Sequence, residues 1–115
     1  VAQCGSLIAR VLYIKPAERT SFMILDAGMT ELIRPALYRS FHFIENLFSQ
    51  EGSVVYDVVG PICETSDAFA RGLSLPETKR GDMLAIRSAG AYGEVMASQY
   101  NLREVAPSIF SDDFK

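Results

Sequence analysis

Four short runs of branched and aromatic residues, each bounded by a turn signal, constrain this chain more than any other feature. LIARVLYI (Leu7 to Ile14) is apolar except for Arg10 and stops before Pro16, and SFMIL (Ser21 to Leu25) follows a short polar stretch. VVYDVV (Val54 to Val59) opens after Gly52-Ser53 and is broken only by Asp57, and MLAIR (Met83 to Arg87) opens after Gly81-Asp82. Runs of this length and composition suit a pleated, partly buried surface, so each predicts a strand, and the first two predict a hairpin. Phe41 to Leu47 and Glu94 to Tyr100 are weaker strand candidates. One segment has helical spacing: Met29, Leu32, Ile33, Ala36 and Leu37 recur at three and four, with Thr30 available as a cap. Pro35 interrupts it, because proline lacks the backbone donor and disfavours helical geometry at Arg34. The expected fold is mostly β, an antiparallel barrel or sandwich with one or two short helices.

At 115 residues the chain predicts one domain, 1–115, with 49% hydrophobic and 22% charged residues typical of a globular protein. A formal charge of −3 with scattered lysines and arginines argues against nucleic acid as a partner. No apolar stretch approaches the roughly 20 residues of a membrane span, and a basic, apolar leader is not seen, so no membrane partner and a cytoplasmic location are expected. Two cysteines, Cys4 and Cys63, in an otherwise unstapled domain are expected to be reduced, and with a single histidine, His42, they lack metal-site spacing. His42 is expected to be structural. The chain starts at Val1 inside a strand-like segment, which suggests an excerpt of a longer polypeptide.

Three clusters could carry chemistry. In DAGMTELIRPALY (Asp26 to Tyr38), Arg34 and Tyr38 are four apart and share a face if the backbone is helical. A guanidinium fork beside a phenol suits a carboxylate ligand, although an arginine and a tyrosine on a short helix are ordinarily surface residues. In VVGPICETSD (Val58 to Asp67), Gly60-Pro61 ends the pairing and presents Cys63 and Glu64 on a loop. The adjacent carboxylate opposes thiolate formation, which disfavours a nucleophile and fits a proton donor, since a free thiol with a pKa of about 8.5 is mostly protonated near neutrality. An inert buried cysteine beside a solvated glutamate is the ordinary alternative. In SAGAYGEVMASQYN (Ser88 to Asn101), Gly90 and Gly93 bracket Tyr92, letting the chain turn sharply near a ligand while the ring projects; simple turn chemistry has the same pattern.

Taken in order, DAGM with RPALY, GPICE with Asp67, Gly81-Asp82, GAYG (Gly90 to Gly93) and Tyr100-Asn101 with Arg103 resemble the C-terminal domain of the diaminopimelate decarboxylase family. Each motif alone is weak; the ordered set, spanning nearly the whole chain, is specific. The resemblance implies part of a lyase that uses pyridoxal 5'-phosphate to convert meso-2,6-diaminopimelate to L-lysine and CO2. Such enzymes pair an N-terminal (β/α)8 barrel, which holds the cofactor on a lysine, with a C-terminal β domain, and work as homodimers with active sites shared across the interface. Carried over by motif, Arg34 and Tyr38 would bind a substrate carboxylate and Glu64 the distal ammonium group. Cys63 would be the catalytic proton donor, contributed from the partner subunit, and Tyr92 would touch both cofactor and substrate. A neutral thiol can return a proton to the α-carbon after CO2 departs, and a neighbouring carboxylate can select a substrate with a second charged end.

The chain departs from the family pattern in lacking the barrel and its glycine-rich phosphate loop. None of Lys15, Lys79 and Lys115 is placed like a buried Schiff-base lysine, so the chain alone is expected to be inactive. Competing readings are a related decarboxylase acting on ornithine, arginine or a polyamine precursor, or a non-catalytic β domain kept for dimerisation or regulation.

Overall fold

The described residues form six strands: β1 (Ser6–Lys15), β2 (Ser21–Leu25), β3 (Ile44–Asn46), β4 (Val54–Val59), β5 (Ala68–Leu75) and β6 (Met83–Arg87). The structure, a computed structural model, describes residues 5–29, 31–32, 42–61, 67–89, 97–98 and 106–110. The strands form one sheet in the order β3-β6-β1-β2-β4-β5. It curls round a single core into a barrel-like shape, with buried side chains from every strand in one cluster, including Val11, Met23, Ile44, Tyr56, Phe69 and Leu84. Among the described residues every regular element is a strand, and no helix is long and apolar enough to cross a membrane.

The predicted hairpin is present: β1 and β2 pair antiparallel, Ile14 opposite Met23 and Lys15 opposite Phe22. β1 is shared between two partners. Residues Ser6 to Arg10 pair with β6, and Val11 to Lys15 pair with β2, with a register shift between Val11 and Tyr13. A bulge of this kind bends a strand, which lets one strand serve both halves of a curled sheet. It also leaves two successive residues, Leu12 and Tyr13, facing solvent. Four pairings are antiparallel as expected, but β2 and β4 run parallel, Ser21 opposite Tyr56 and Ile24 opposite Val59. Parallel neighbours need a long crossover, and the stretch from Asp26 to Ser53, which contributes β3 to the far side of the sheet, supplies it.

β5 has no counterpart among the predicted strands. Its sequence, AFARGLSL, is poor in branched residues and carries a glycine, so propensity alone points away from a strand. Gly72 adopts φ 63° at a bulge where Tyr56 faces Leu73 and Val58 faces Ala70. Asp57, the polar interruption in VVYDVV, has a role here: its Oδ1 accepts the Gly72 N–H at 2.8 Å, and its other oxygen lies 3.7 Å from the Arg71 guanidinium. Of the weaker candidates, Phe41 to Leu47 yields the short β3, and Glu94 to Tyr100 lies mostly outside the described residues. The expected helix also falls largely outside them, apart from its first turn, described below.

At the end of the sheet where β4 and β6 begin, a buried polar network replaces apolar packing. Asn46 Nδ2 donates to Thr78 Oγ1 at 2.9 Å and Asp82 Oδ2 at 3.1 Å, while its Oδ1 accepts the Phe48 and Ser49 amides. The Thr78 amide donates to the Tyr56 hydroxyl at 3.0 Å. Removing Asn46 leaves several of these groups unpaired, whereas removing the Tyr56 hydroxyl leaves one. Asn46→Ala is therefore expected to cost about 2–3 kcal/mol and Tyr56→Phe about 1 kcal/mol in chemical denaturation. The opposite ranking would contradict this account of the network.

Candidate active site

The polarity of the strands decides where the predicted site residues can emerge. β1 runs antiparallel to both β2 and β6, and β4 runs parallel to β2. Hence β2, β4 and β6 all run toward the end of the sheet where β1 begins. The three clusters singled out in the sequence follow these three strands. Arg34 and Tyr38 lie in the segment after β2, Cys63 and Glu64 in the β4–β5 connection, and Tyr92 in the segment after β6. All five fall outside the described residues, but the residues that root their segments are described.

The segment after β2 is tied down at successive points. The Asp26 amide donates to Arg10 O, and Asp26 Oδ1 accepts the Arg10 N–H, both at 2.9 Å, so the carboxylate continues the ladder past the strand end. The Gly28 carbonyl accepts the Glu31 and Leu32 amides, and Glu31 Oε2 accepts the Gly28 N–H at 2.7 Å. The Glu31 carboxylate reaching back to the Gly28 amide is one half of a capping box, the Gly28 carbonyl standing in for the missing side chain, and the turn starts at Gly28, two residues before Thr30. Leu32 is buried in the core and fixes the turn against the sheet.

The β4–β5 connection is closed at its base by the Gly60 amide donating to Asp67 O at 2.9 Å. Asp67 is 3% exposed, and its Oδ1 accepts the Met29 amide of the preceding segment at 2.6 Å. Its carboxylate lies so close to two glycines that a Cβ on Gly60 would sit 2.5 Å from both oxygens, and one on Gly28 would sit 2.7 and 2.9 Å from them. The two segments are thus packed against each other through Asp67. The motifs DAGM and GPICE contain the two glycines and Asp67 follows three residues after GPICE, but nothing in the sequence signals that Gly28 and Gly60 meet a carboxylate.

The third segment leaves from a different level. Arg87 pairs with Ser6, whereas Leu25 pairs with Val11, five residues along β1, or roughly 17 Å at strand spacing. Its exit is fixed by Ser88, which takes φ 56°, and by the Ala89 amide donating to Gly5 O at 2.9 Å. Buried His42 holds the same corner, with Nδ1 2.9 Å from Arg87 O, as expected of a structural histidine; its Nε2 has no hydrogen-bond partner among the described residues. The described residues bring the roots of the first two segments into contact and set the third toward the same end of the sheet, at the start of β1.

Among the described residues, the lysines lie away from this end. Lys15 ends β1 and Lys79 lies in the turn before β6, both exposed and both at the opposite end of the sheet. Neither fits a buried Schiff-base lysine. Lys115 and Tyr92 lie outside the described residues.

Residues 2–90 match the family described as "Pyridoxal-dependent decarboxylase, C-terminal sheet domain". The chain belongs to this family. Among curated relatives, diaminopimelate decarboxylase of Bacteroides thetaiotaomicron is 58% identical over 113 residues, covering 98% of this chain and 29% of the relative. Diaminopimelate decarboxylase from Helicobacter pylori, solved in complex with L-lysine, superimposes with a TM-score of 0.84 at 48% identity, covering 91% of this chain and 26% of that one. A lysine/ornithine decarboxylase from Vibrio vulnificus, solved with cadaverine, shares the fold with a TM-score of 0.82 at 22% identity, covering 91% of this chain and 29% of that one. The chain therefore spans under a third of the length of these relatives.

The close approach at Gly60 can be tested against a glycine held for a different reason. Gly60→Ala places a methyl group against carboxylate and backbone and is expected to cost about 3 kcal/mol. A Cβ at Gly72 meets nothing within 4 Å, so Gly72→Ala should cost only the left-handed backbone penalty, about 1 kcal/mol. Equal denaturation midpoints for the two variants would contradict the tight packing at Gly60.

Proposed function

We propose that this sheet domain is the C-terminal part of a homodimeric, cytoplasmic diaminopimelate decarboxylase, which removes one carboxylate from meso-2,6-diaminopimelate to give L-lysine and CO2. The observation that carries the reading is that all three motif-bearing segments follow strands pointing to one end of the sheet, in a chain 58% identical to a diaminopimelate decarboxylase. Two cysteines in an unstapled domain fit a reducing compartment. Apolar side chains on the outside of the sheet, including Ile8, Leu12, Phe43 and Leu47, are more than 40% exposed, which favours packing against the remainder of the polypeptide or its partner subunit.

In this reading Arg34 and Tyr38 bind a substrate carboxylate, the guanidinium through paired N–H donors and the phenol through its hydroxyl. Glu64 accepts hydrogen bonds from the distal ammonium group. Pyridoxal phosphate, held on a lysine elsewhere in the polypeptide and touched by Tyr92, supplies the electron sink for decarboxylation. When the bond to the carboxylate breaks, its electron pair stays with the α-carbon side and CO2 leaves. Cys63 then gives its S–H proton to that carbon and is left as a thiolate, which regains a proton from solvent. Glu64 beside it disfavours the thiolate and so keeps the donor loaded.

The test is CO2 release by the full-length polypeptide with pyridoxal phosphate. It is expected with meso-diaminopimelate and to be far weaker with ornithine, and the isolated 115-residue chain is expected to release none. Preference for ornithine would replace the substrate proposed here, and activity of the isolated chain would refute the division of labour. Cys63→Ala in the full-length protein should lower kcat by about 100-fold, the usual contribution of a positioned acid. An unchanged kcat would remove Cys63 from the proton transfer.

A further inference from the structure

We infer that Asp67 is a positioning residue that locks the segment carrying Arg34 and Tyr38 to the segment carrying Cys63 and Glu64, an inference that rests on the function proposed above. Asp67 bonds in two directions. Its carbonyl closes the base of the β4–β5 connection through the Gly60 amide, and its carboxylate accepts the Met29 amide of the segment after β2. The first bond is of ordinary length at 2.9 Å and the second is short at 2.6 Å, and the residue is 3% exposed, so water competes little for either.

The surroundings permit this arrangement only for a side chain of aspartate's length. Gly28 and Gly60 bring their backbones together, with the Asp67 carboxylate filling the space that either Cβ would take. The Gly28 amide is already committed to Glu31, so the carboxylate meets the next amide, Met29, at the start of the capped turn. One carboxylate therefore fixes the direction in which one segment leaves β2 and the distance to the root of the next. Whether the two segments serve one active site or, in a dimer with shared sites, two adjacent ones, neither root can move without the other. Recognition of a substrate charged at both ends depends on such fixed separations, and a shift of about 1 Å in a positioned group can cost as much as 100-fold.

The experiment uses the full-length polypeptide with Asp67→Ala, Asp67→Asn and Gly28→Ala. Steady-state kinetics with meso-diaminopimelate are read beside amide hydrogen exchange of the peptides spanning residues 27–32 and 60–68. Asp67→Ala and Gly28→Ala are each expected to raise KM at least about tenfold and to increase exchange in both peptides together. Asp67→Asn keeps the acceptor for Met29 and is expected to stay within about threefold of wild type in KM.

A merely structural role lowers the fraction of active enzyme and leaves KM unchanged; that outcome overturns the inference, as does increased exchange in only one peptide. Where Asp67→Ala fails to fold, Gly28→Ala, which attacks the link from its other side, is read by the same criteria. Where Gly28→Ala also fails to fold, a raised KM and joint exchange in Asp67→Asn overturn the inference, and wild-type-like values support it. If the wild-type polypeptide does not decarboxylate diaminopimelate, the functional reading fails by itself. Exchange then decides the link alone: joint loss of protection supports it, and independent or absent loss overturns it.

Discussion

β1 gives one half of its length to β6 and the other half to β2, both of those strands run against it, and the rest of the sheet is built on that polarity. The bulge near Leu12 makes the sharing geometrically feasible by bending β1 between its two partners. Once β2 is set, the parallel pairing of β4 sets a third strand in the same direction. β2, β4 and β6 then finish toward one end, and the turns before β4 and β6 gather at the other. The two ends are stabilised differently: the Asn46, Tyr56, Thr78 and Asp82 network closes the far end, and Asp67 with two glycines organises the near one.

Much of this was legible in the sequence because short apolar runs between turn residues leave few alternatives to strands. SFMIL, VVYDVV and MLAIR coincide with β2, β4 and β6, and LIARVLYI falls one residue short of β1 at each end. β5 was not legible, since its alanines, arginine and glycine obey no strand propensity and it is held by pairing with β4 and by the Asp57 contact to its bulge. Parallel pairing of β2 with β4 was not legible either. It depends on where β3 docks, and three residues carry too little pattern to specify a partner.

The candidate site divides in the same way. Residue types and their order pointed to Arg34, Tyr38, Cys63, Glu64 and Tyr92, which lie outside the described residues, and the strands that precede them all run toward one end of the sheet. What the sequence could not convey is how the segments are rooted. Gly28 and Asp67 are 39 positions apart, and a glycine needed for close approach reads like a glycine needed for a turn until the carboxylate beside it is seen.

The most direct test of the central claim, that the ends of β2, β4 and β6 build one side of a substrate site, is a crystal structure of the full-length polypeptide with L-lysine bound. The account predicts ligand contacts from Arg34, Tyr38, Glu64 or Tyr92, with Cys63 of the same or the neighbouring subunit close to the α-carbon. Lysine bound wholly by residues outside this domain, or at the opposite end near Lys79, would contradict it.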